Sequence, residues 1–352
     1  MKNYFFLLTV NNGASYIFNT RHWSAIKESL KFYRAYTFKG KLQKSVLTFF
    51  LFVVGKFFPS IFKSKESVKI YLKENINADV DFNLDENSSV LISPTRDKVI
   101  VHHHSQYFHK YAFGKSFMKV QNESAIYKLL QNSKEFQVAS LLNLKIDEEL
   151  SSCNFKLVNP LVNTNDQLQS IGDLSALLVE FFNSSPKKKT VQLTDYIEDL
   201  LKRLHSLNME PIHNLSSYLV KIQKEYDTET ISLGLVHRDF KPWNTLLRDT
   251  VLIFDFEEAI TDGPPLEDVL NYYIDPVIRY QSTNLVYDSL YAKEKVMEYT
   301  FYLKLLKLTV PFEVLLFTYV LERIVFWTKE KELETAMHYK NLLSHILLNT
   351  HP

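Results

Sequence analysis

Val236-His237-Arg238-Asp239-Phe240-Lys241-Pro242-Trp243-Asn244, followed closely by Leu252-Ile253-Phe254-Asp255-Phe256-Glu257, is the stretch around which the whole chain is organised. It holds an Asp, an Asn five residues later and a second Asp eleven residues beyond that Asn. Phosphoryl transfer from a nucleotide requires such a set. One carboxylate orients the attacking hydroxyl, and an amide oxygen and a second carboxylate hold a divalent ion against the phosphates. The spacing is mechanically sensible. Thr245-Leu246-Leu247 and Val251-Leu252-Ile253-Phe254 are apolar, β-prone runs on either side of the polar turn Arg248-Asp249-Thr250. Asn244 enters the first strand and Asp255 leaves the second, so an antiparallel pair would bring both to one end, where oxygen ligands suit Mg²⁺. The alternative is a strand cap and a turn Asp beside a buried hairpin, which the ordered set outweighs.

Composition bounds the rest. A chain of 352 residues has room for two domains, or for one two-lobed domain with an extension. An apolar content of 46% supports a sizeable core, and a net charge of +1 gives no general case for nucleic-acid binding. The single cysteine, Cys153, excludes an intrachain disulfide and a cysteine-rich metal site, and it suits a reducing, cytoplasmic setting. Seven glycines are few, so no glycine-rich phosphate loop stands out.

Residues 1–88 read as an N-terminal extension. The first ten residues are too short an apolar stretch for a secretory leader and fit a short strand. Residues 27–69 carry ten Lys and Arg against two acidic residues, Glu28 and Glu66, interleaved with ten Phe and Tyr. The apolar run within them, residues 46–55, is well short of the roughly 20 residues a bilayer crossing needs. Two readings stand: a basic, aromatic helix in peripheral contact with an anionic membrane, or a helical extension whose apolar face packs on the rest of the protein.

From Ser89 the pattern turns strand-rich. Residues 90–93, 99–103 and 107–113 read as three strands, then comes a helix from about Ser116, then two more strands at about 136–146 and 154–162. Beyond Asn163 the chain becomes helical. Residues 171–183 and 191–207 are amphipathic, the second with Ile197, Leu200, Leu201 and Leu204 on one face. Residues 214–226 form a third helix with Asn214 as its N-cap, and a helical block runs over 268–348. The run Pro186-Lys187-Lys188-Lys189 reads as a solvated loop. His102-His103-His104 and His109 read as histidines of a surface strand. Only His102 and His104 share a side, and a third metal ligand is lacking.

Residues from about 89 to 335 resemble the aminoglycoside phosphotransferase and choline kinase branch of the kinase-like superfamily. The resemblance rests on Lys110, on Glu123 within Asn-Glu-Ser-Ala-Ile-Tyr-Lys-Leu-Leu, on residues 237–244, on Asp255 to Glu257 and on Asp262-Gly263-Pro264-Pro265-Leu266-Glu267-Asp268. It implies an α+β, two-lobed protein-kinase-like fold: a nucleotide-binding N-lobe over 89–163, with an antiparallel sheet, and a helical C-lobe over 164–352. The implied reaction transfers the γ-phosphate of ATP (or GTP), with Mg²⁺, to the hydroxyl of a small-molecule acceptor. Lys110 would bind the phosphates and be braced by Glu123, and Asn244 and Asp255 would hold the metal. Asp239 would be the catalytic base and Lys241 a second catalytic group. Lys119 lies one helical turn before Glu123 and could not cross from a strand to it. Asp268 would anchor the loop.

Two departures open other readings. Arg238 and Lys241 look like a protein-kinase loop, which brings in a protein acceptor, whereas Glu257 stands where that family has glycine. The turn at residues 93–98 has no glycine, so Thr95, Arg96 and Lys98 would have to make the phosphate contacts, and a catalytically inactive, nucleotide-binding scaffold is the further alternative.

Overall fold

The computed structural model describes residues 4–10, 13–32, 38–76, 80–104, 106–134, 136–158, 175–207, 212, 214–247 and 251–349. The elements in chain order are β1 (Phe5–Thr9), β2 (Ser15–Asn19), α1 (Trp23–Ser29), α2 (Phe38–Phe57), α3 (Lys65–Asn75), β3 (Ser88–Ile92), β4 (Lys98–His103), β5 (Tyr107–Phe113), α4 (Phe117–Leu130), β6 (Phe136–Val138), β7 (Leu141–Asp147) and β8 (Ser152–Val158). There follow α5 (Ser175–Asn183), β9 (Lys189–Gln192), α6 (Leu193–His205), α7 (Leu215–Tyr226), β10 (Thr230–Val236), β11 (Thr245–Leu247), β12 (Val251–Ile253), β13 (Ile260–Gly263), α8 (Glu267–Ile274), α9 (Thr283–Leu290), α10 (Lys293–Leu306), α11 (Phe312–Lys329) and α12 (Leu333–Asn349). Two compact units result. One comprises Met1–Ser133, Gln137–Asn165 and Leu252–Glu257, the other Lys134–Phe136, Asp166–Val251 and Glu258–Pro352.

The first unit is built on a seven-stranded sheet in the order β1-β2-β3-β4-β5-β8-β7, its strands paired antiparallel. Successive side chains on a strand point to opposite faces, so the sheet buries two different sets. On β5, Tyr111 and Phe113 join Val90, Val99 and Val101 in a core that also takes Val68 and Leu72 of α3. Lys110 and Ala112 point the other way, and α4 covers that side, with Tyr127 tilted edge-on to Phe155 at 6.1 Å. Helix α4 therefore presents Glu123 to the strand that carries Lys110.

The sheet does not begin at Ser88. Strand β2 pairs with β3, matching Ile17 to Val90, and Asn19 Nδ2 donates to the carbonyls of Glu86 (2.7 Å) and Ser88 (3.3 Å). The boundary drawn after residue 88 thus falls inside one compact unit: β1 and β2 complete the sheet, and α1 to α3 cover it. The expected change near residue 163 and the turn Arg248-Asp249-Thr250 lie outside the described residues, although β11 and β12 are present on either side of that turn.

The second unit is helical around a small sheet, β13-β10-β9. Its centre is α11, in which every residue from Val314 to Val325 is buried. A helix that is apolar nearly all round must be enclosed. Helix α6 buries Leu193, Ile197, Leu200 and Leu204, the spacing of one helical face. Gly234 of β10 lies opposite Gly263 of β13, and each is required for close approach. A Cβ on Gly234 would sit 2.5 Å from the Phe182 carbonyl oxygen, and one on Gly263 2.0 Å from Val236 Cγ2.

Several local expectations are corrected. Asn214 does not cap α7 with its side chain, because its backbone is left-handed (φ 61°) and the side chain makes no cap bond. Lys189 leaves the expected loop to start β9, which pairs with β10. The strand expected over 136–146 is broken into β6 and β7. His102 and His103 are core residues, not surface ones: His102 stacks on Phe108 with ring centroids 4.5 Å apart, and His103 Nδ1 bonds Asp85 at 2.9 Å. Helices on both sides of the sheet, which the strand pattern alone did not reveal, remove the solvent-facing surface those rings were assigned to.

Candidate active site

In the first unit the chemistry gathers on the Lys110 ammonium. Its Nζ lies 2.8 and 2.7 Å from the two Glu123 oxygens, 2.9 Å from Asp255 Oδ1 and 2.8 Å from Glu257 Oε1. Lys98 Nζ closes the group with bonds of 2.9 and 2.6 Å to Glu257. Burial pulls the Lys110 pKa down, but Asp255, Glu123 and Glu257 push it up and prevail, so it stands well above the ordinary lysine value. Burial pushes Glu123 up, with the Lys110 charge opposing it. Glu257 is held below its usual range because Lys110 and Lys98 together outweigh its burial.

Local structure explains how Asp255 reaches this point. Its backbone sits at φ 72°, a left-handed conformation that Asp tolerates better than most residues. The turn is pinned on both sides. The Asp255 N–H donates to the Tyr127 phenol oxygen at 3.1 Å, and Phe256 is buried edge-on to Tyr127 at 5.0 Å. Burying Phe256 thereby aims the Asp255 carboxylate at Lys110.

Oxygen ligand atoms of Glu123, Asp255 and Glu257 lie within 4.8 Å of one another. Three carboxylates against two ammonium groups leave one negative charge. An all-oxygen donor set of that sign fits Mg²⁺ and would not select a soft metal. The side chains of the 93–98 turn are engaged within the same unit: Arg96 with the Tyr71 hydroxyl (3.3 Å), Thr95 with Asp97, and Lys98 with Glu257.

In the second unit the loop after β10 is clamped from below. Asp268 accepts the backbone N–H groups of His237 (2.8 Å) and Arg238 (3.0 Å), which fits the anchoring role read from its position. Arg238 adopts φ 61° and sends its guanidinium away from the loop, to Glu267 (3.1 Å) and Glu322 (2.9 Å). Its carbonyl accepts from Asn271 Nδ2 (2.9 Å) and from Arg323 (3.1 Å). His237 is buried against Phe240, whose ring is 5.9 Å away. With both sides held, the loop presents Asp239 in one orientation.

Asn244 Nδ2 donates to the Asp239 carbonyl and to its Oδ2, both at 2.8 Å. Those bonds leave the Asn244 amide oxygen as an acceptor of the kind a hard cation takes. Lys241 pairs with the other Asp239 oxygen and with Asp275 at 3.2 Å. Burial pulls the Lys241 pKa down, but Asp275 and Asp239 raise it above its ordinary value, so it is an ammonium at neutral pH. Asp275 is buried, yet Arg323 (2.9 Å) and Lys241 hold its pKa below the usual carboxylate range, and the Tyr339 hydroxyl also bonds it.

The structure thus brings Lys110, Glu123 and Asp255 together in one unit, and Asp239, Lys241 and Asn244 together in the other. Sequence reasoning missed Glu257 as a partner of Lys110, and it missed Asp275 and Arg323. A signal existed for Asp275. Asp268 and Asn271 of α8 and Asp275 at its C-cap, at i, i+3 and i+7, are a polar stripe beside buried residues that include Val269, Leu270 and Ile274.

Residues 176–289 match the family described as "Phosphotransferase enzyme family", a span that includes Asp239, Lys241, Asn244 and Asp255. The resemblance to that family is borne out over these residues. No curated protein matches the chain. Among solved structures, it is similar to choline kinase LicA from Streptococcus pneumoniae, at 13% identity over 73% of this chain and 91% of that one, with a TM-score of 0.48. Aminoglycoside phosphotransferase APH(4)-Ia is 11% identical over 82% of this chain and 100% of that one, with a TM-score of 0.46.

Proposed function

We propose that this chain is a small-molecule kinase, transferring the γ-phosphate of Mg-ATP (or Mg-GTP) to a hydroxyl of a small acceptor in the cytoplasm. The observation that carries the reading is the Lys110 ammonium held by Glu123, Asp255 and Glu257 at 2.7–2.9 Å. A lysine so braced is a fixed cation for phosphate oxygens, and its surplus of carboxylates suits a divalent ion arriving with the nucleotide.

Each residue has a task in this reading. Lys110 donates to the nucleotide phosphates, and Glu123 keeps the long side chain from wandering. Asp255 and the Asn244 amide oxygen would hold Mg²⁺, which when bound would neutralise phosphate charge and polarise the group in transfer. Asp239 orients the acceptor hydroxyl and accepts its proton as the new O–P bond forms and the γ-phosphorus parts from the β,γ-bridging oxygen, which leaves with the nucleoside diphosphate. Lys241 and Asn244 fix both oxygens of that carboxylate, so little reorganisation is needed at the moment of reaction. A sugar or glycan intermediate is the acceptor class we favour, since its hydroxyls suit a positioned carboxylate.

Turnover of ATP against a pool of small-molecule extracts tests the reading. Wild-type protein should consume ATP in a Mg²⁺- and acceptor-dependent way, and Asp239→Ala and Asp255→Ala should both be inactive with unchanged melting temperature. Activity retained by either variant would sink the assignment. Label from γ-labelled ATP should collect in the small-molecule fraction. Label found only in protein, or nucleotide binding without transfer to any acceptor, would overturn it in favour of a protein kinase or an inactive scaffold.

A further inference from the structure

Helix α2 carries two apolar faces, and the protein covers one of them. On the inner face Leu51 is buried with Phe18, Ile26 and Leu30, and Leu47 packs against the same cluster. At about 100° per residue, Leu42 and Phe49 fall on the opposite side of the helix, with Val46 and Phe57 flanking them. Leu42, Val46, Phe49 and Phe57 are 56%, 61%, 67% and 65% exposed. Trp23 of α1 extends the patch, its ring edge-on to the exposed Phe52 at 5.2 Å. A soluble surface rarely leaves a continuous aromatic stripe uncovered, and such a stripe marks an interaction site.

Charge selects the occupant. Lys27 Nζ lies 5.2 Å over the Trp23 ring and Lys56 Nζ 5.9 Å over the Phe57 ring, so cations border the apolar patch. Residues 27–69 hold ten Lys and Arg against two acidic residues. A second copy of the same surface would set like charges against each other. No helix among the described residues is long and apolar enough to cross a membrane. A helix with an outer apolar stripe flanked by lysines satisfies both its parts by lying in the plane of an anionic bilayer surface.

We propose that α2 is such an interfacial helix: its outer stripe enters the boundary between headgroups and acyl chains, and the bordering lysines meet lipid phosphates. The inner face keeps it attached to the sheet through Leu47 and Leu51, so docking needs no refolding. The proposal does not depend on the phosphotransferase reading.

Flotation of the full-length protein with vesicles tests it. Protein should float with vesicles containing phosphatidylglycerol, much less with phosphatidylcholine alone, and less as salt is raised and the attraction is screened. The double variant Phe49→Ser/Phe57→Ser should lower the vesicle-bound fraction about tenfold or more, since two inserted rings are lost. Its melting temperature should be unchanged, because both rings are exposed. Absence of flotation at low salt, equal flotation on neutral vesicles, or a fall in melting temperature in the double variant would overturn the proposal. So would a dimer in vesicle-free light scattering that the double variant converts to monomer.

Discussion

Replacing Arg323 by methionine should destabilise the second unit by about 3 kcal/mol, near the lower end of the cost of breaking a buried ion pair. Asp275 is buried and shares its charge between Arg323 at 2.9 Å and Lys241 at 3.2 Å, with Tyr339 as a third donor. Methionine keeps most of the volume but leaves the carboxylate one cation short. It also removes the donor 3.1 Å from the Arg238 carbonyl, which retains Asn271 at 2.9 Å. The surviving Lys241 and Tyr339 are why the lower end of the range applies. For a unit of this size, about 3 kcal/mol corresponds to a fall of roughly 6–12 °C in melting temperature, measured by circular dichroism and checked by urea midpoint. Arg323→Met/Asp275→Asn, which removes both charges, should recover about 1–2 kcal/mol relative to Arg323→Met alone. A melting temperature within about 2 °C of wild type, or a double variant as unstable as the sum of the singles, would refute the claim that an uncompensated buried charge is the cause.

Glu123→Gln leaves Lys110 with two carboxylates but removes the one that holds it from α4, so kcat/KM for ATP should fall by about a hundredfold while the fold survives. Steady-state kinetics with a melting curve check this, and kinetics within about twofold of wild type would exclude a bracing role for Glu123. The contribution of His104 and His109 to stability should also fall as pH drops from 6.5 toward 4. Burial holds the folded pKa of His104 and His109 down to about 4, so the unfolded chain binds more protons in that window and unfolding becomes easier. The loss should be on the order of 2 kcal/mol per ring, read as melting temperature against pH, and it should shrink in His104→Asn. A difference in melting temperature between wild type and His104→Asn that stays constant between pH 6.5 and 4 would mean that this ring is not held neutral in the folded protein.

The family resemblance carried by Lys110, Glu123, residues 237–244 and residues 255–257 implied the α+β class and supplied the candidate residues without any structure. That chemistry is written in residue types and spacings a few positions long, and such spacings are fixed once the local chain is a strand, a turn or a helix. The same locality made α6 legible from Ile197, Leu200 and Leu204, whereas the pairing of Lys110 with Glu123 came from the family resemblance. The stripe Asp268, Asn271 and Asp275 was equally readable and was overlooked. What tertiary structure alone decided depends on which distant elements share a surface. Strand pairing placed β1 and β2 on the edge of a sheet whose next strand is some 70 residues later, something no local pattern encodes. Glu257 could be recognised as a partner of Lys110 and Lys98 only once Phe256 was seen buried and the turn at Asp255 left-handed. Arg323, 48 residues from Asp275, acquires its role because α11 is enclosed on all sides and its one buried guanidinium must find an anion there. The outer stripe of α2 is the converse case: its phenylalanines were plain in the sequence, and only the burial of Leu47 and Leu51 told which side of the helix they face.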